Sequence, residues 1–270
     1  MAFLELSFHA ATLGQHTGVS VILPDSVRAG ERVPVLYLLH GLSDDHTMWG
    51  RRTSVERYAA PYKLAIVMPD GHRSFYTNTQ SGERFFDYIT EELPARMESF
   101  FPVSQERSGR FVAGLSMGGY GAFKVALNRP DLYAAAASFS GALGTEHAAE
   151  RFSSPLALSI YGSAETALQR PHNLSLVAED VARNAASVPC PRLYQACGTE
   201  DFLYGENIAF RDHALALGLP LTYVECPGTH EWGFWDARIR DTLAWLPLPE
   251  NRAAVSTEDA PPLPPPSERP

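Results

Sequence analysis

Cysteine, concentrated basic charge and long apolar runs are all scarce in this chain of 270 residues. Its three cysteines (Cys190, Cys197 and Cys226) are too few and too odd in number for a disulfide framework, and no C-x-x-C pair indicates structural zinc. The net charge is −9 and the isoelectric point about 5.5, so the basic patch typical of a nucleic-acid-binding protein is missing. No apolar run approaches the ~20 residues that a membrane-spanning helix needs. We expect neither a nucleic-acid nor a membrane partner.

The first residues also lack the features of a secretory signal peptide. The segment MAFLELSFHA has no basic region followed by a long apolar run, so we expect a cytoplasmic protein. A hydrophobic fraction of 45% and a charged fraction of 20% indicate a globular chain with a sizeable core. A chain of this length fits one large α/β domain.

Short apolar runs alternate with amphipathic segments along most of the chain. Six runs are predicted to be strands buried on both faces: residues 34–41, 64–71, 110–116, 134–142, 192–198 and 221–228. Helices are predicted at 52–60, 85–101 (with a possible kink at Pro94), 118–130, 205–217 and 234–245. The runs FLELSFHA and VSVILP, separated near Gly18, predict an antiparallel pair at a sheet edge. The alternation predicts an α/β fold with a mostly parallel central sheet and helices on both faces.

Two segments interrupt this alternation. Residues 143–190 mix serine, proline, alanine and charges with weak helical patches, and we expect a small cap-like insertion there. Residues 247–270 hold 8 of the 21 prolines and few large apolar side chains after Leu248. Residues 248–270 are therefore predicted to be a proline-rich flexible tail, and residues 1–247 the folded domain.

The segment Gly114-Leu115-Ser116-Met117-Gly118 fits the G-x-S-x-G pattern of a strand-to-helix turn that exposes a serine. It follows the apolar run RFVA and precedes the helical segment GGYGAFKVAL, which is the context that this turn requires. Glycines flank the serine because a neighbouring Cβ would not fit in so tight a turn. The pattern predicts Ser116 as a nucleophile.

A serine hydroxyl needs a base, and in this fold the acid and then the histidine follow the serine along the chain. The run LTYVECPG leads to His230, and the run RLYQACG leads to Glu200 and Asp201. Both places are carboxyl ends of predicted parallel strands, where ligand sites of open α/β sheets form. We predict His230 as the base and Asp201 as the acid. Glu200 and Asp180 compete with Asp201, but Glu200 is expected to point to the other side of the strand end.

The oxygen of an attacked carbonyl group needs two backbone N–H donors. One is the N–H of Met117, the residue after the nucleophile. The other normally comes from the loop after the third strand, which begins here with His40-Gly41-Leu42, so Leu42 N–H is the second candidate. His40 itself is predicted to be a buried, hydrogen-bonded residue rather than the base.

The remaining candidates have plainer interpretations. Five histidines in polar or irregular stretches are predicted to be surface residues: His46, His72, His147, His172 and His213. The three cysteines are predicted to be small core residues. Aromatic side chains near strand ends either wall a pocket or simply pack, and we consider Trp49, Tyr76 and Trp232 as substrate contacts on that basis.

Six segments, taken in order, resemble the esterase D-type branch of the α/β hydrolases: LLHGLSDDHTMW, VMPDG, GLSMGGYGAFKVAL, FSGAL, CGTEDFLY and GTHEW. The branch includes S-formylglutathione hydrolases and bacterial tributyrin esterases, and the resemblance covers roughly residues 5–247. GTHEW, DFLY and the stretch FYTNTQSGERFFDYITEELP are closer to the tributyrin esterases. S-formylglutathione hydrolases usually carry a cysteine just after HGL, where this chain has Ser43 and Asp44.

The resemblance implies a serine carboxylesterase that hydrolyses short-chain acyl esters through Ser116, Asp201 and His230, with an acyl-enzyme intermediate. It implies an α/β-hydrolase fold, a small-molecule ester substrate, no metal, no other cofactor and the formation of homo-oligomers. Three alternatives stay open: an S-formylglutathione hydrolase, an acetyl or feruloyl esterase acting on carbohydrate-linked esters, and a non-catalytic α/β-hydrolase scaffold used for binding.

Overall fold

The structure is a computed structural model that describes residues 1–144 and 154–249. Its centre is one eight-stranded sheet in the order β1-β2-β4-β3-β5-β6-β7-β8. The strands are β1 (Ala2–Ala10), β2 (Gln15–Leu23), β3 (Val35–Leu39), β4 (Ala65–Pro69), β5 (Arg110–Leu115), β6 (Ala135–Phe139), β7 (Arg192–Gly198) and β8 (Leu221–Cys226). β2 pairs antiparallel with β1 and β4, and all other neighbours are parallel. The predicted α/β fold with a mostly parallel sheet is confirmed.

Helices lie in all five predicted segments, with additional ones at residues 48–52 and in the predicted insertion. They are α1 (Met48–Arg52), α2 (Val55–Ala59), α3 (Phe85–Asp87), α4 (Leu93–Phe100), α5 (Met117–Asn128), α6 (Pro155–Tyr161), α7 (Ala164–Ala167), α8 (Leu174–Arg183), α9 (Tyr204–Ala216) and α10 (Trp232–Trp245). Among the residues described, no helix is both long and apolar enough to cross a bilayer.

The predicted distortion near Pro94 takes the form of a π-helical turn. Tyr88–Glu92 forms this turn between α3 and α4, and Pro94 is the second residue of α4. Proline has no N–H to donate to the carbonyl of Thr90, four residues earlier, so regular α-helical hydrogen bonding is interrupted there. The helical segment therefore continues to Phe100 with an irregular turn in its middle.

Apolar layers on both faces of the sheet bury its central strands. Every residue of β3, β4, β5 and β6 is buried, because successive side chains point to opposite faces and helices cover both. Val67 and Val112 belong to one layer together with Phe123 of α5, whereas their neighbours Ile66 and Phe111 belong to the other. Each such side chain stabilises the fold by about 2 kcal/mol relative to exposure to water.

The predicted edge hairpin exists, but its turn lies elsewhere. β1 and β2 pair along their full lengths, and residues 11–14 form the turn. Gly18, which we expected between the strands, lies inside β2 opposite Ser7. A Cβ atom at this position would come within 2.4 Å of His46 Cε1. The glycine therefore makes room for an imidazole ring and does not form the turn.

The connection between β6 and β7 contains α6, α7 and α8, which we call the cap. Residues 145–153 of the predicted insertion lie outside the described residues, and its boundaries at 143 and 190 stay a prediction. Within the described part, Ile160 and Tyr161 of α6 form a small apolar cluster against Phe75 from the loop after β4. The cap thus packs against the loop after β4 and, through α8, against α5.

The predicted tail begins too early in the sequence. Leu248 is fully buried and packs with Leu243 and Leu246 on one face of the sheet. The packed chain therefore extends past the predicted boundary at residue 247. Residues 250–270, which make up most of the predicted tail, lie outside the described residues.

His172, predicted to be a surface residue, is only partly exposed and faces α5 from the cap. Its Nδ1 atom lies 3.1 Å from the Lys124 Nζ atom, and its ring packs edge-on against Tyr161 with centroids 5.1 Å apart. Burial, together with the charge of Lys124, lowers the pKa of His172 to about 3. Of the other histidines, His46, His72 and His213 are at least partly exposed, and His147 lies outside the described residues.

Acid is expected to destabilise the fold partly through His172. Its pKa falls from 6.5 to about 3 on folding, so the folded chain binds fewer protons than the unfolded chain at intermediate pH. The contribution of this ring to stability is complete above pH 6.5 and is lost as the pH falls toward 3. His172→Phe should reduce the pH slope of the unfolding free energy by up to about 1 kcal/mol per unit, as measured by urea denaturation. The exposed His72→Phe is the control, and equal slopes for both variants would contradict this expectation.

Candidate active site

Ser116 occupies the turn between β5 and α5. Its backbone has φ 52° and ψ −116°, in the left-handed half of conformational space that favours glycine. The Ser116 N–H donates to the Phe139 carbonyl at 2.9 Å, and the Ser116 carbonyl accepts from the Tyr120 N–H at 3.1 Å. These bonds hold the strained residue between strand and helix, where its side chain lines the surface of the site.

The two glycines of the motif are required sterically. A Cβ on Gly114 would come within 2.3 Å of the Gly118 carbonyl oxygen, and a Cβ on Gly118 within 2.4 Å of the Leu39 carbonyl oxygen. Neither contact can be relieved by moving a side chain, because both partners are backbone atoms. The motif therefore encodes a close approach of β3, β5 and α5 at the position of the serine.

Folding brings Ser116, His230 and Asp201 into one hydrogen-bonded chain. Ser116 Oγ lies 3.0 Å from His230 Nε2, and His230 Nδ1 lies 2.9 Å from Asp201 Oδ2 and 3.1 Å from Oδ1. The three residues follow β5, β8 and β7, which are parallel strands whose carboxyl ends meet at the same edge. They do not all lie on adjacent strands, because β6 separates β5 from β7.

The environment of Asp201 determines which ring nitrogen of His230 carries the proton. Burial by itself would raise the pKa of Asp201, but hydrogen bonds from His230 and from the Leu203 N–H outweigh it and hold this pKa below its ordinary value. The Leu203 bond is 2.8 Å long. Because an ionised carboxylate can only accept, Nδ1 of His230 must donate to it. Nε2 is then free of a proton and accepts from the Ser116 hydroxyl.

The two competing carboxylates serve other partners. Glu200 accepts from the Gly228 N–H, and Asp180 pairs with Arg170 and Arg183 at the cap surface. Hydrogen bonds to its partners lower the pKa of Glu200, chiefly the one from Gly228. Within residues 1–144 and 154–249, neither carboxylate bonds to the imidazole of His230.

The two predicted N–H donors lie beside the serine. An ideal Cβ on Gly41, the residue before Leu42, would be 3.8 Å from Ser116 Cβ. Met117 is the first residue of α5, so its N–H has no acceptor within the helix. In the described part of the chain, neither the Leu42 nor the Met117 N–H donates to another protein group. Both remain available to a bound oxygen atom.

His40 is buried and hydrogen-bonded, as the sequence predicted. It is 1% exposed; its Nδ1–H donates to the Gly41 carbonyl at 2.7 Å, and its Nε2 accepts from the Gly71 N–H at 2.8 Å. The Gly41 carbonyl and the Leu42 N–H belong to the same planar peptide group. The imidazole therefore also fixes the direction in which the Leu42 N–H points.

Two spaces of different character meet at Ser116. The first, which we call the apolar cavity, has a volume of about 240 Å³ and is lined chiefly by Leu42, Phe75, Met117, Leu156, Ile160 and Tyr161. The second, which we call the open cleft, has a volume of about 620 Å³ and is lined chiefly by Asp44, Phe202, His230, Glu231, Trp232 and Trp235. His230 borders only the open cleft, whereas Ser116 borders both.

Two of the three predicted substrate contacts are wrong. Trp49 is 1% exposed and donates from its indole N–H to the Leu39 carbonyl at 3.0 Å. Tyr76 is fully buried and donates from its hydroxyl to the His40 carbonyl at 3.0 Å. Both side chains are therefore part of the core beneath the site, where their polar atoms donate hydrogen bonds to backbone carbonyls. Trp232 does line the open cleft, and its contact with substrate stays a prediction.

Several residues that line the site escaped the sequence analysis. Phe202 is 77% exposed, and its ring centroid lies 4.5 Å from that of His230. Its place directly after Asp201 could have indicated it. Phe75, Ile160 and Tyr161 carry no such signal, since the cavity forms only where the cap packs against the loop after β4.

The three cysteines are fully or partly buried. Cys197 is fully buried, and Cys190 and Cys226 are partly buried. Burial raises the pKa of Cys190 to about 11 and that of Cys197 to about 12, so both thiols stay protonated. In the described parts of the chain, no group of three or more His, Cys, Asp or Glu side chains is arranged to hold a metal ion.

A parallel sheet covered by helices, with a serine turn and a Ser–His–Asp arrangement at its carboxyl edge, defines an α/β hydrolase. Comparison with known families agrees with this class. The model of the Esterase family, described as "Putative esterase", matches residues 10–246. The chain belongs to this esterase family and is a carboxylic ester hydrolase.

Individual relatives cover nearly the whole chain. An acetyl esterase of Caldicellulosiruptor saccharolyticus is 26% identical over 91% of this chain and 98% of its own length. The serine hydrolase FphF of Staphylococcus aureus, solved with bound substrate, is 33% identical with a TM-score of 0.83, covering 91% and 98% of the two chains. The S-formylglutathione hydrolase FrmB of the same organism is also 33% identical, with a TM-score of 0.81 and the same coverage.

Proposed function

We propose that this chain is a serine carboxylesterase that hydrolyses short-chain acyl esters, of the tributyrin type within the esterase D-like branch. The observation that carries the proposal is the hydrogen-bonded chain from Ser116 through His230 to Asp201, placed at the mouth of a small apolar cavity. The family shows ester hydrolysis, and the cavity supplies the argument for a short acyl group.

In the proposed reaction, His230 Nε2 accepts the hydroxyl proton as Ser116 Oγ attacks the ester carbonyl. Asp201 orients the imidazole and stabilises its charged form. The carbonyl oxygen becomes an oxyanion between the N–H groups of Leu42 and Met117, each worth about 3 kcal/mol of transition-state stabilisation. His230 then gives the proton to the departing alcohol. Water attacks the acyl-enzyme by the same sequence and releases the acid.

The position of His230 assigns the two spaces to the two halves of the ester. The general acid must touch the oxygen of the leaving group, and His230 borders the open cleft but not the apolar cavity. The alcohol therefore belongs in the open cleft and the acyl chain in the apolar cavity. A small cavity limits acyl length, whereas the larger open cleft tolerates many alcohols.

A series of p-nitrophenyl esters of increasing acyl length tests this assignment. We expect kcat/KM to be highest for acetate to butyrate and to fall by about tenfold or more by octanoate, since each methylene that does not fit costs roughly 1–3 kcal/mol. The common p-nitrophenol leaving group keeps the cleft interactions constant. A profile that rises steadily with chain length would contradict a short-acyl cavity.

A glutathione thioester is the second candidate, because FrmB is described as an S-formylglutathione hydrolase. Glutathione carries carboxylates, and the open cleft presents the carboxylates of Asp44 and Glu231. Among the described residues that line the cleft there is neither lysine nor arginine to pair with an anion. Like charges disfavour the thioester, whereas neutral alcohols, including carbohydrate hydroxyls beside Phe202 and Trp232, fit the cleft.

A direct assay on S-formylglutathione is the second arm of the same experiment. We expect its kcat/KM to lie at least about tenfold below that of p-nitrophenyl acetate, because the cleft repels the anionic leaving group. The opposite order would favour the thioester as substrate. Raising the ionic strength should narrow the difference, since salt screens charge repulsion at an open site.

We further infer a cytoplasmic enzyme that forms homo-oligomers. The acidic net charge supports the location, and the resemblance to esterase D-type enzymes supports the assembly. Both remain predictions, as does the absence of a cofactor.

A further inference from the structure

Helix α5, which begins immediately after the nucleophile, also reaches the cap through one of its faces. Tyr120, Lys124 and Asn128 follow one another at intervals of four residues and so share that face. The Tyr120 hydroxyl donates to the His172 carbonyl at 2.9 Å, and the Asn128 amide donates to the Pro171 carbonyl at 3.3 Å. Between them, Lys124 Nζ lies 3.1 Å from His172 Nδ1.

Lys124 is an unusual residue for this position. It is one of the two lysines in the chain and is 1% exposed. In the described part of the chain no carboxylate pairs with it, and burial lowers its pKa well below the ordinary value. Removing an amine from water costs several kcal/mol unless hydrogen bonds compensate, and an apolar side chain of similar length would fill this space at lower cost. The need to fill this space therefore does not by itself explain a lysine here.

One hydrogen bond of Lys124 supports the loop after β4. Nζ donates to Thr77 Oγ1, and the Thr77 hydroxyl in turn donates to the Phe75 carbonyl at 3.0 Å. Phe75 and Tyr76 both have φ 50°, a left-handed conformation that side chains other than glycine adopt only under constraint. Phe75 is also a wall of the apolar cavity. The lysine thus supports a strained loop at the point where it forms the cavity.

The other hydrogen bond supports the cap. The His172 ring that faces Lys124 packs against the Tyr161 ring, with centroids 5.1 Å apart. Tyr161 is a second wall of the apolar cavity, and its ring centroid is 6.5 Å from that of Phe75. A single amine therefore connects, through one intermediate on each side, to two walls that come from distant parts of the chain.

We propose that Lys124 is a positioning residue that sets the acyl-chain limit of the enzyme by holding Phe75 and Tyr161 in place through Thr77 and His172. The inference rests on the proposed function, in which the apolar cavity receives the acyl group. Lys124 does not line the apolar cavity and acts on its walls through its two hydrogen-bond partners. Without its hydrogen bonds the two walls separate more easily, so longer acyl chains enter while an acetyl group is little affected.

Lys124→Met tests the proposal, because methionine has a similar length and no hydrogen-bond donor. We would measure kcat/KM for p-nitrophenyl acetate, butyrate, hexanoate and octanoate, with active sites counted by a fluorophosphonate probe. The ratio of kcat/KM for hexanoate to kcat/KM for acetate is expected to rise at least about fivefold. Displacement of one cavity wall should admit roughly one more methylene, and one methylene changes kcat/KM by about this factor. The rate of fluorophosphonate labelling should stay within about twofold, since the nucleophile does not change.

Matched variants separate positioning from general damage. Lys63→Met removes the other lysine, a surface residue paired with Glu31, and should leave the ratio unchanged. Thr77→Val removes the hydroxyl that accepts from Lys124, whereas Thr77→Ser keeps it. Only the valine variant should raise the ratio, and this pair keeps the test open if Lys124→Met does not fold.

Two results would overturn the proposal. One is a hexanoate-to-acetate ratio equal to that of the wild type in both Lys124→Met and Thr77→Val. The other is an equal fall of kcat/KM, per labelled active site, for every ester, which indicates a merely structural role. A wild-type enzyme that labels normally but does not discriminate by acyl length would refute the acyl assignment of the cavity, and this inference with it. Discrimination in the wild type with no change in the variants would refute this inference alone.

Discussion

Ser116→Ala is expected to lower kcat for p-nitrophenyl acetate by about 10⁴-fold or more. The alanine variant keeps the N–H groups of Leu42 and Met117 and the apolar cavity, but it has no oxygen to form the acyl-enzyme. Alanine is smaller than serine and tolerates the same space, so the turn should persist. Steady-state hydrolysis and covalent labelling by a fluorophosphonate probe measure the effect, and both should be lost together.

Folding controls decide how a loss of activity is understood. The far-ultraviolet circular dichroism and the thermal midpoint of Ser116→Ala should match those of the wild type, and Ser99→Ala, on the exposed face of α4, should keep full activity. Substantial turnover by a folded Ser116→Ala enzyme would place the nucleophile elsewhere. A wild-type protein that neither labels nor hydrolyses any ester would favour the alternative of a non-catalytic binding scaffold.

Asp201→Asn is expected to lower kcat by about 10³- to 10⁴-fold while leaving the fold intact. The buried carboxylate accepts from His230 Nδ1 at 2.9 Å and thereby leaves Nε2 without a proton. An asparagine amide can donate toward Nδ1 instead, which moves the imidazole proton to Nε2. In that tautomer the ring cannot accept the proton of Ser116, so the nucleophile is present but not activated.

Glu200→Gln is the matched control for this substitution. Glu200 is the neighbour of Asp201 and was a competing candidate for the acid, yet its carboxylate accepts from the Gly228 N–H. Glutamine keeps an acceptor for that bond, so activity should change by no more than about threefold. Equal losses in the two variants would mean that the loop, and not the single carboxylate that faces His230, supports catalysis.

The parts of the site that could be predicted from sequence are those set by local structure and strand order. The serine turn needs glycine at two places where backbone atoms lie within 2.4 Å of a hypothetical Cβ, so the motif and the geometry are nearly equivalent. Asp201 and His230 could be located because parallel strands end at one edge of a sheet. None of these inferences requires knowledge of how distant side chains pack.

The walls of the cavity could not be predicted, because they depend on how the cap folds back on α5. Lys124 and His172 are 48 residues apart, and no periodicity or motif connects them. The predictions for Trp49 and Tyr76 were wrong because a position near a strand end does not determine whether an aromatic ring points to the site or into the core. Gly18 failed because glycine is used both for turns and for close approach, and only the ring of His46 shows which applies.

The placement of β8 has a consequence for how the enzyme loses activity on heating. β8 is the last strand of the described sheet, its residues are only partly buried or exposed, and the loop that follows it carries His230. Local unfolding of an edge strand requires less free energy than unfolding of the inner strands. On heating, the His230 imidazole should therefore lose its hydrogen bond to Ser116 while Ser116 is still in its native position. Thermal inactivation would then begin at β8 and the loop that follows it, while the helices and inner strands keep their structure.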